Sequence, residues 1–261
     1  MPTVGPFAAL GYRVELNVED PALAAELARV LDSLASPATL PATPYEVTPS
    51  ERVLSEVMWH LNAEAVASSP GHLLLHAGAV AVADRAVLLP ASMECGKTTL
   101  VAGLVRRGLD YLTDETVAID PVDITVLAYP KPLSIDQGSW EVLADLRPRH
   151  DPWHTFQWQV RPDDIRPGCV ARRPCRPALM IAPRYVAGAA TRLTPMVRSE
   201  AVVYLAENSF NFRSDGARWL PVAGAVIAQC DCYRLIVGDL DDACRLVLDA
   251  VDAVADATVP A

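Results

Sequence analysis

Leu88-Leu89-Pro90-Ala91-Ser92-Met93-Glu94-Cys95-Gly96-Lys97-Thr98-Thr99-Leu100 is the stretch on which the reading of the fold turns. Its apolar run predicts a buried strand up to Pro90, and Gly-Lys-Thr then opens a helix that runs to about Arg107. Strand, loop and helix in that order are the setting in which backbone N–H groups cradle phosphates, assisted by the partial positive charge of a helix N-terminus. The expected cradle is Ser92, Met93, Glu94, Cys95, Gly96, Lys97, Thr98 and Thr99. Lys97 is expected to reach the β- and γ-phosphates, and the Thr98 hydroxyl to sit on Mg²⁺. Ala91 stands where the pattern G-x-x-x-x-G-K-[ST] has its first glycine, and alanine can make that turn provided φ is negative.

Two further pieces fit around the loop. His76 lies 21 residues before Lys97, in Leu73-Leu74-Leu75-His76-Ala77-Gly78-Ala79-Val80, and Asp114-Glu115 begins 17 residues after it. With these spacings the chain resembles the catalytic domain of the bacterial HPr serine kinase/phosphorylase family. That family runs strand-His-Gly, hairpin, P-loop, a helix ending Arg-Gly, then an acidic pair. Tyr111-Leu112-Thr113-Asp114-Glu115, Tyr129-Pro130-Lys131-Pro132-Leu133-Ser134 and Ser209-Phe210-Asn211 are similar to the HPr-kinase-like enzymes of lasso peptide gene clusters. The resemblance covers about residues 72–135 well and the remainder more loosely. It implies an ATP- and Mg²⁺-dependent kinase acting on a serine of a ribosomal precursor peptide. By the same resemblance Asp114 is the general base, and His76 orients that carboxylate or relays its proton. Glu115, where the family usually has Asp, binds Mg²⁺ directly or through water.

The whole chain is consistent with such an enzyme. At 261 residues it can bury a substantial core, with 51% apolar and 21% charged residues. A net charge of −10 without a long basic stripe argues against a nucleic-acid partner. No apolar run approaches ~20 residues and no secretory leader is visible, so a cytoplasmic protein with no membrane partner is expected. Six cysteines lack paired C-x-x-C spacing, although Cys169, Cys175, Cys230 and Cys232 could converge on zinc; buried free thiols are expected. Whether the chain forms a homo-oligomer is left open.

Read in order, residues 11–18 alternate as a strand, and Asp20-Pro21 starts a helix to about Leu34. Residues 36–44 read as a proline-rich linker. Thr48-Pro49-Ser50-Glu51 has capping-box spacing before a helix whose Val53, Leu54, Val57, Met58, Leu61 and Ala65 share a face. A small α+β unit over 1–48 and a catalytic domain over 49–261 are expected. Within the latter, Leu73–Val82 and Arg85–Leu89 flank Ala83-Asp84 as a hairpin, and residues 119–128 give two short strands. This α/β pattern, a mixed sheet with few crossover helices, suits the HPr kinase/PEP carboxykinase type by analogy.

Residues 147–177 are rich in Pro, Arg and Trp. They read either as a flap gripping a substrate carboxylate, with Arg161–Arg176 as its core, or as a solvated loop whose arginines pair with acids. Ala178–Ile181, Arg184–Val186 and Arg234–Val237 read as strands, and 199–208 and 239–255 as helices. Lys131, bracketed by prolines, is either a catalytic cation or a surface residue; His60, His72, His150 and His154 are taken as structural or exposed. A small-molecule kinase and a nucleotide-binding scaffold are the competing functional readings.

Overall fold

In the computed structural model, which describes residues 2–149 and 152–256, the chain divides into two compact units, each assembled from two stretches. Met1–Pro70 carries β1 (Thr3–Ala9), β2 (Tyr12–Asn17), α1 (Pro21–Val30), β3 (Thr43–Glu46) and α2 (Val53–Ala67). Gly71–Ala128 carries β4 (Leu73–Val82), β5 (Arg85–Pro90), α3 (Lys97–Arg106), β6 (Asp110–Thr113), β7 (Thr116–Asp120) and β8 (Thr125–Leu127). Tyr129–Gly168 carries β9 (Leu133–Ile135), β10 (Trp158–Val160) and α4 (Pro162–Ile165). Cys169–Ala261 carries β11 (Arg176–Tyr185), β12 (Arg192–Pro195), α5 (Arg198–Glu207), α6 (Gly216–Gln229), β13 (Asp231–Val237) and α7 (Leu240–Asp256). The first and third stretches form one unit, the second and fourth the other. His150 lies outside the described residues.

In the first unit β1 and β2 are antiparallel and β3 runs parallel to β2. Asp20 caps α1, its Oδ1 accepting from the N–H groups of Ala22 (2.7 Å) and Leu23 (3.3 Å) behind Pro21. A 3₁₀ turn at Asp32–Leu34 stops this helix at Val30, short of the expected Leu34. The second helix also starts later than its capping box: Ser50 Oγ accepts from Arg52 N–H and donates to Glu56, and α2 begins at Val53. The stripe Val53, Leu54, Val57, Met58, Leu61 and Ala65 is buried as expected. It shares a core with Leu16, Leu27 and Tyr129, so residues 49–70 and 129–168 associate with the N-terminal strands rather than with the loop-bearing sheet.

The second unit is built on an eight-stranded mixed sheet in the order β12-β13-β11-β5-β4-β7-β8, with β6 also paired to β4. β5, β11 and β13 are parallel, while β4 is antiparallel to β5 across the Ala83-Asp84 turn. Odd-numbered β4 residues from Leu73 to Ala81 join Met180, Ala182 and the α6 residues Trp219 and Val222 in one core. The opposite face carries α3; a Cβ on Gly78 would lie 2.7 Å from Val101 Cγ2, so only glycine allows this approach. All six cysteines are free; Cys95 is half-buried and the others are buried. Among the described residues no helix is long and apolar enough to cross a membrane.

Candidate functional site

The apolar strand β5 is buried along Ala86–Pro90 and delivers the chain into the loop Ala91–Gly96. Ala91 is fully buried and is not among the positive-φ residues, which explains why alanine serves at that turn. The left-handed positions are Glu94 (φ 61°) and Gly96 (φ 82°), the latter capping α3. Within the loop Ser92 Oγ lies 3.2 Å from Cys95 Sγ. Ser92, Met93 and Glu94 are exposed, whereas Gly96, Thr98 and Thr99 are half-buried. Lys97 folds back so that its buried Nζ donates to the carbonyls of Ala91 and Ser92, both at 2.8 Å. Burial lowers its pKa, and Glu115, Cys95 and Asp114 oppose that shift. Lys97 Nζ is thus held on two loop carbonyls at a helix N-terminus.

The acidic pair lies on the β4 flank of this loop. β6 pairs with β4, so Asp114, just beyond Thr113, falls level with the end of β5. Its Oδ2 accepts from Thr98 Oγ1 at 3.1 Å and its Oδ1 from Tyr111 OH at 3.0 Å, with the residue 1% exposed. His76 is seated in β4 by its own backbone: its N–H donates to Asn208 O, and its carbonyl accepts from Ala91 N–H. The segment Ser209–Asn211 is stitched to the same strand, Asn211 accepting from Leu74 N–H and donating to His72 O. Phe210, 42% exposed, lies with its ring centroid 5.6 Å from that of His76. His76 Nε2 stands 3.6 Å from Glu115 Oε1. Burial pushes the His76 imidazole down to about 4, the Lys97 charge acts the same way, and Asp114 opposes both. The imidazole is therefore neutral at pH 7, and its contact with Glu115 is not an ion pair.

The structure thus brings the loop and helix start from Ser92 to Thr99 together with Asp114, Glu115 and His76. Tyr111 and Phe210 were given no role from sequence, since an aromatic on an apolar strand or in a loop carries no chemical signature of its own. Lys131 belongs to the other unit, where it is 2% exposed and its Nζ donates to Pro132 O (3.1 Å) and Ser134 Oγ (3.4 Å). The arginine-rich segment is not a single flap. Arg161 is tied to Asp164 and Asp32, at 2.5 and 2.6 Å, inside the first unit. Arg172 and Arg173 lie between Ala171, bonded to Tyr111, and Cys175, bonded to Val126. The chain then enters β11 opposite Arg85, the end of β5 remote from the loop.

Among the described residues no group of three or more His, Cys, Asp or Glu is placed to hold a metal ion. Mg²⁺ takes only one or two carboxylates and completes its shell with water and phosphate oxygens, a demand that the Thr98 hydroxyl and the Glu115 carboxylate would meet. No protein-family model matches the chain, and no curated protein matches it either.

Proposed function

We propose that this protein is an ATP-dependent, P-loop phosphotransferase that passes the γ-phosphoryl group to a hydroxyl, its acceptor being a serine of a ribosomal precursor peptide of the lasso type. The observation that carries the reading is the Thr98–Asp114 hydrogen bond. It couples a hydroxyl on the first turn of the phosphate-loop helix to a buried carboxylate, one residue from Lys97. Phosphoryl transfer depends mainly on positioning and on neutralising charge. Loop amides and Lys97 would hold the phosphate chain; when Lys97 turns to it, the bonds to Ala91 O and Ser92 O are exchanged for phosphate oxygens. Thr98 and Glu115 would hold Mg²⁺, which when bound offsets negative charge on the phosphates. Asp114 accepts the proton of the acceptor hydroxyl, and neutral His76 is positioned by β4 to steady the acidic pair. Phe210 offers the acceptor an exposed apolar surface next to His76.

Calorimetry with ATP and Mg²⁺ tests the donor half: the wild type should bind, and Lys97→Ala should lose turnover while keeping its circular dichroism spectrum. The acceptor half is read by mass spectrometry of a serine-containing precursor peptide, which should gain one phosphoryl group. No binding at millimolar nucleotide overturns the whole reading; binding with ATP turnover on a small hydroxyl compound but not on peptide overturns only the acceptor.

A further inference from the structure

Beside the loop, on the flank away from Asp114, stands an aromatic side chain that the reaction as described does not use. Tyr185 is the last residue of β11 and is 55% exposed. The strand lies directly against β5 and parallel to it, so its carboxyl end emerges next to the loop. Met180 and Ala182 face the core shared with α6, so by strand alternation Tyr185 faces the other side of the sheet. That side carries α3. The contact is direct: a Cβ built on Gly96, the residue capping α3, would lie 3.5 Å from Tyr185 Cβ.

We infer that the phosphate donor carries an aromatic base and that Tyr185 is the platform on which this base stacks, an inference that rests on the phosphotransferase reading. His76, Asp114 and Glu115 occupy the β4 side of β5, and Tyr185 occupies the β11 side. A phosphate chain lying along the loop with its terminal phosphate toward Asp114 therefore directs its other end toward Tyr185. An exposed phenol ring there offers the flat apolar face that suits a base held by stacking. Every base has a π-face, so ATP and GTP should bind within a few-fold of each other. An inorganic polyphosphate would gain nothing from the ring.

Calorimetry in the presence of Mg²⁺ with ATP and with inorganic tripolyphosphate separates the outcomes. Tyr185→Ala should weaken ATP about tenfold, as loss of one stacking contact does. It should leave tripolyphosphate within twofold of wild type, and Tyr185→Phe should bind both normally. The inference is overturned if Tyr185→Ala binds ATP like the wild type, or if it loses ATP and tripolyphosphate by the same factor. Wild-type protein that binds tripolyphosphate but not ATP also overturns it while sparing the phosphate site. Wild type that binds neither removes the phosphotransferase reading itself.

Discussion

The proposed reaction rests on one side chain, Asp114. Both of its oxygens accept hydrogen bonds, from Thr98 and from Tyr111, at 1% exposure. Asparagine keeps the shape but turns one acceptor into a donor that faces a hydroxyl. Asp114→Asn is therefore expected to lower kcat by roughly two to four orders of magnitude while ATP affinity stays near native, read by steady-state kinetics beside calorimetry. Near-native turnover would move the base to Glu115. That Lys97, Thr98, His76 and Asp114 come together was legible in the sequence, because their spacing along a strand, a loop and the next strand sets them at one end of the sheet. Tyr111 was not: strands favour tyrosine for packing alone, so its bond to Asp114 emerges only from the fold.

Among the elements, β4 and α3 meet where Gly78 leaves no side chain between them. Gly78→Ala places a Cβ 2.7 Å from Val101 Cγ2 and should destabilise the protein by about 1–3 kcal/mol in urea unfolding, the usual cost of overpacking. Adding Val101→Ala should recover part of that loss, a coupling that a double-mutant cycle measures. The β4–β5 hairpin could be read from its two-residue connection, and the acid-capped α1 from Asp20-Pro21. Proline hid two other elements. Pro44 sits in β3, which pairs with β2 on one side only, where a missing N–H is tolerated; Pro221 lies inside α6, where a helix is normally discounted. No local pattern along 129–168 announces that it shares a core with the N-terminal strands, since that depends on contacts distant in sequence.

For the molecule as a whole, the unit that lacks the Ala91–Gly96 loop carries a buried charged group. Glu26 accepts from His154 Nε2 at 2.8 Å and from Arg29 at 2.6 Å. Burial alone would raise the Glu26 carboxyl, but these two hydrogen bonds and the charges behind them hold it at about 2. A carboxyl whose folded pKa is depressed contributes stability above its unfolded value of about 4.3, and that contribution is lost as pH falls toward about 2. Glu26→Gln should accordingly melt below wild type at pH 7, and the gap in Tm should close between about pH 4.5 and pH 2. A gap that is constant with pH would mean that the side chain's shape, not its charge, matters.

The interleaving of the two units also has a consequence in time. The N-terminal strands and α2 leave the ribosome early, yet Tyr129 of their core and the remainder of their unit up to Gly168 follow only after Gly71–Ala128 has been made. Translation of that delay, roughly a hundred residues at about 5–20 per second, takes on the order of 5–20 s. For that interval Leu16, Leu27, Leu54 and Leu61 await the rest of their core on a nascent chain, so this unit is the one a chaperone would meet first.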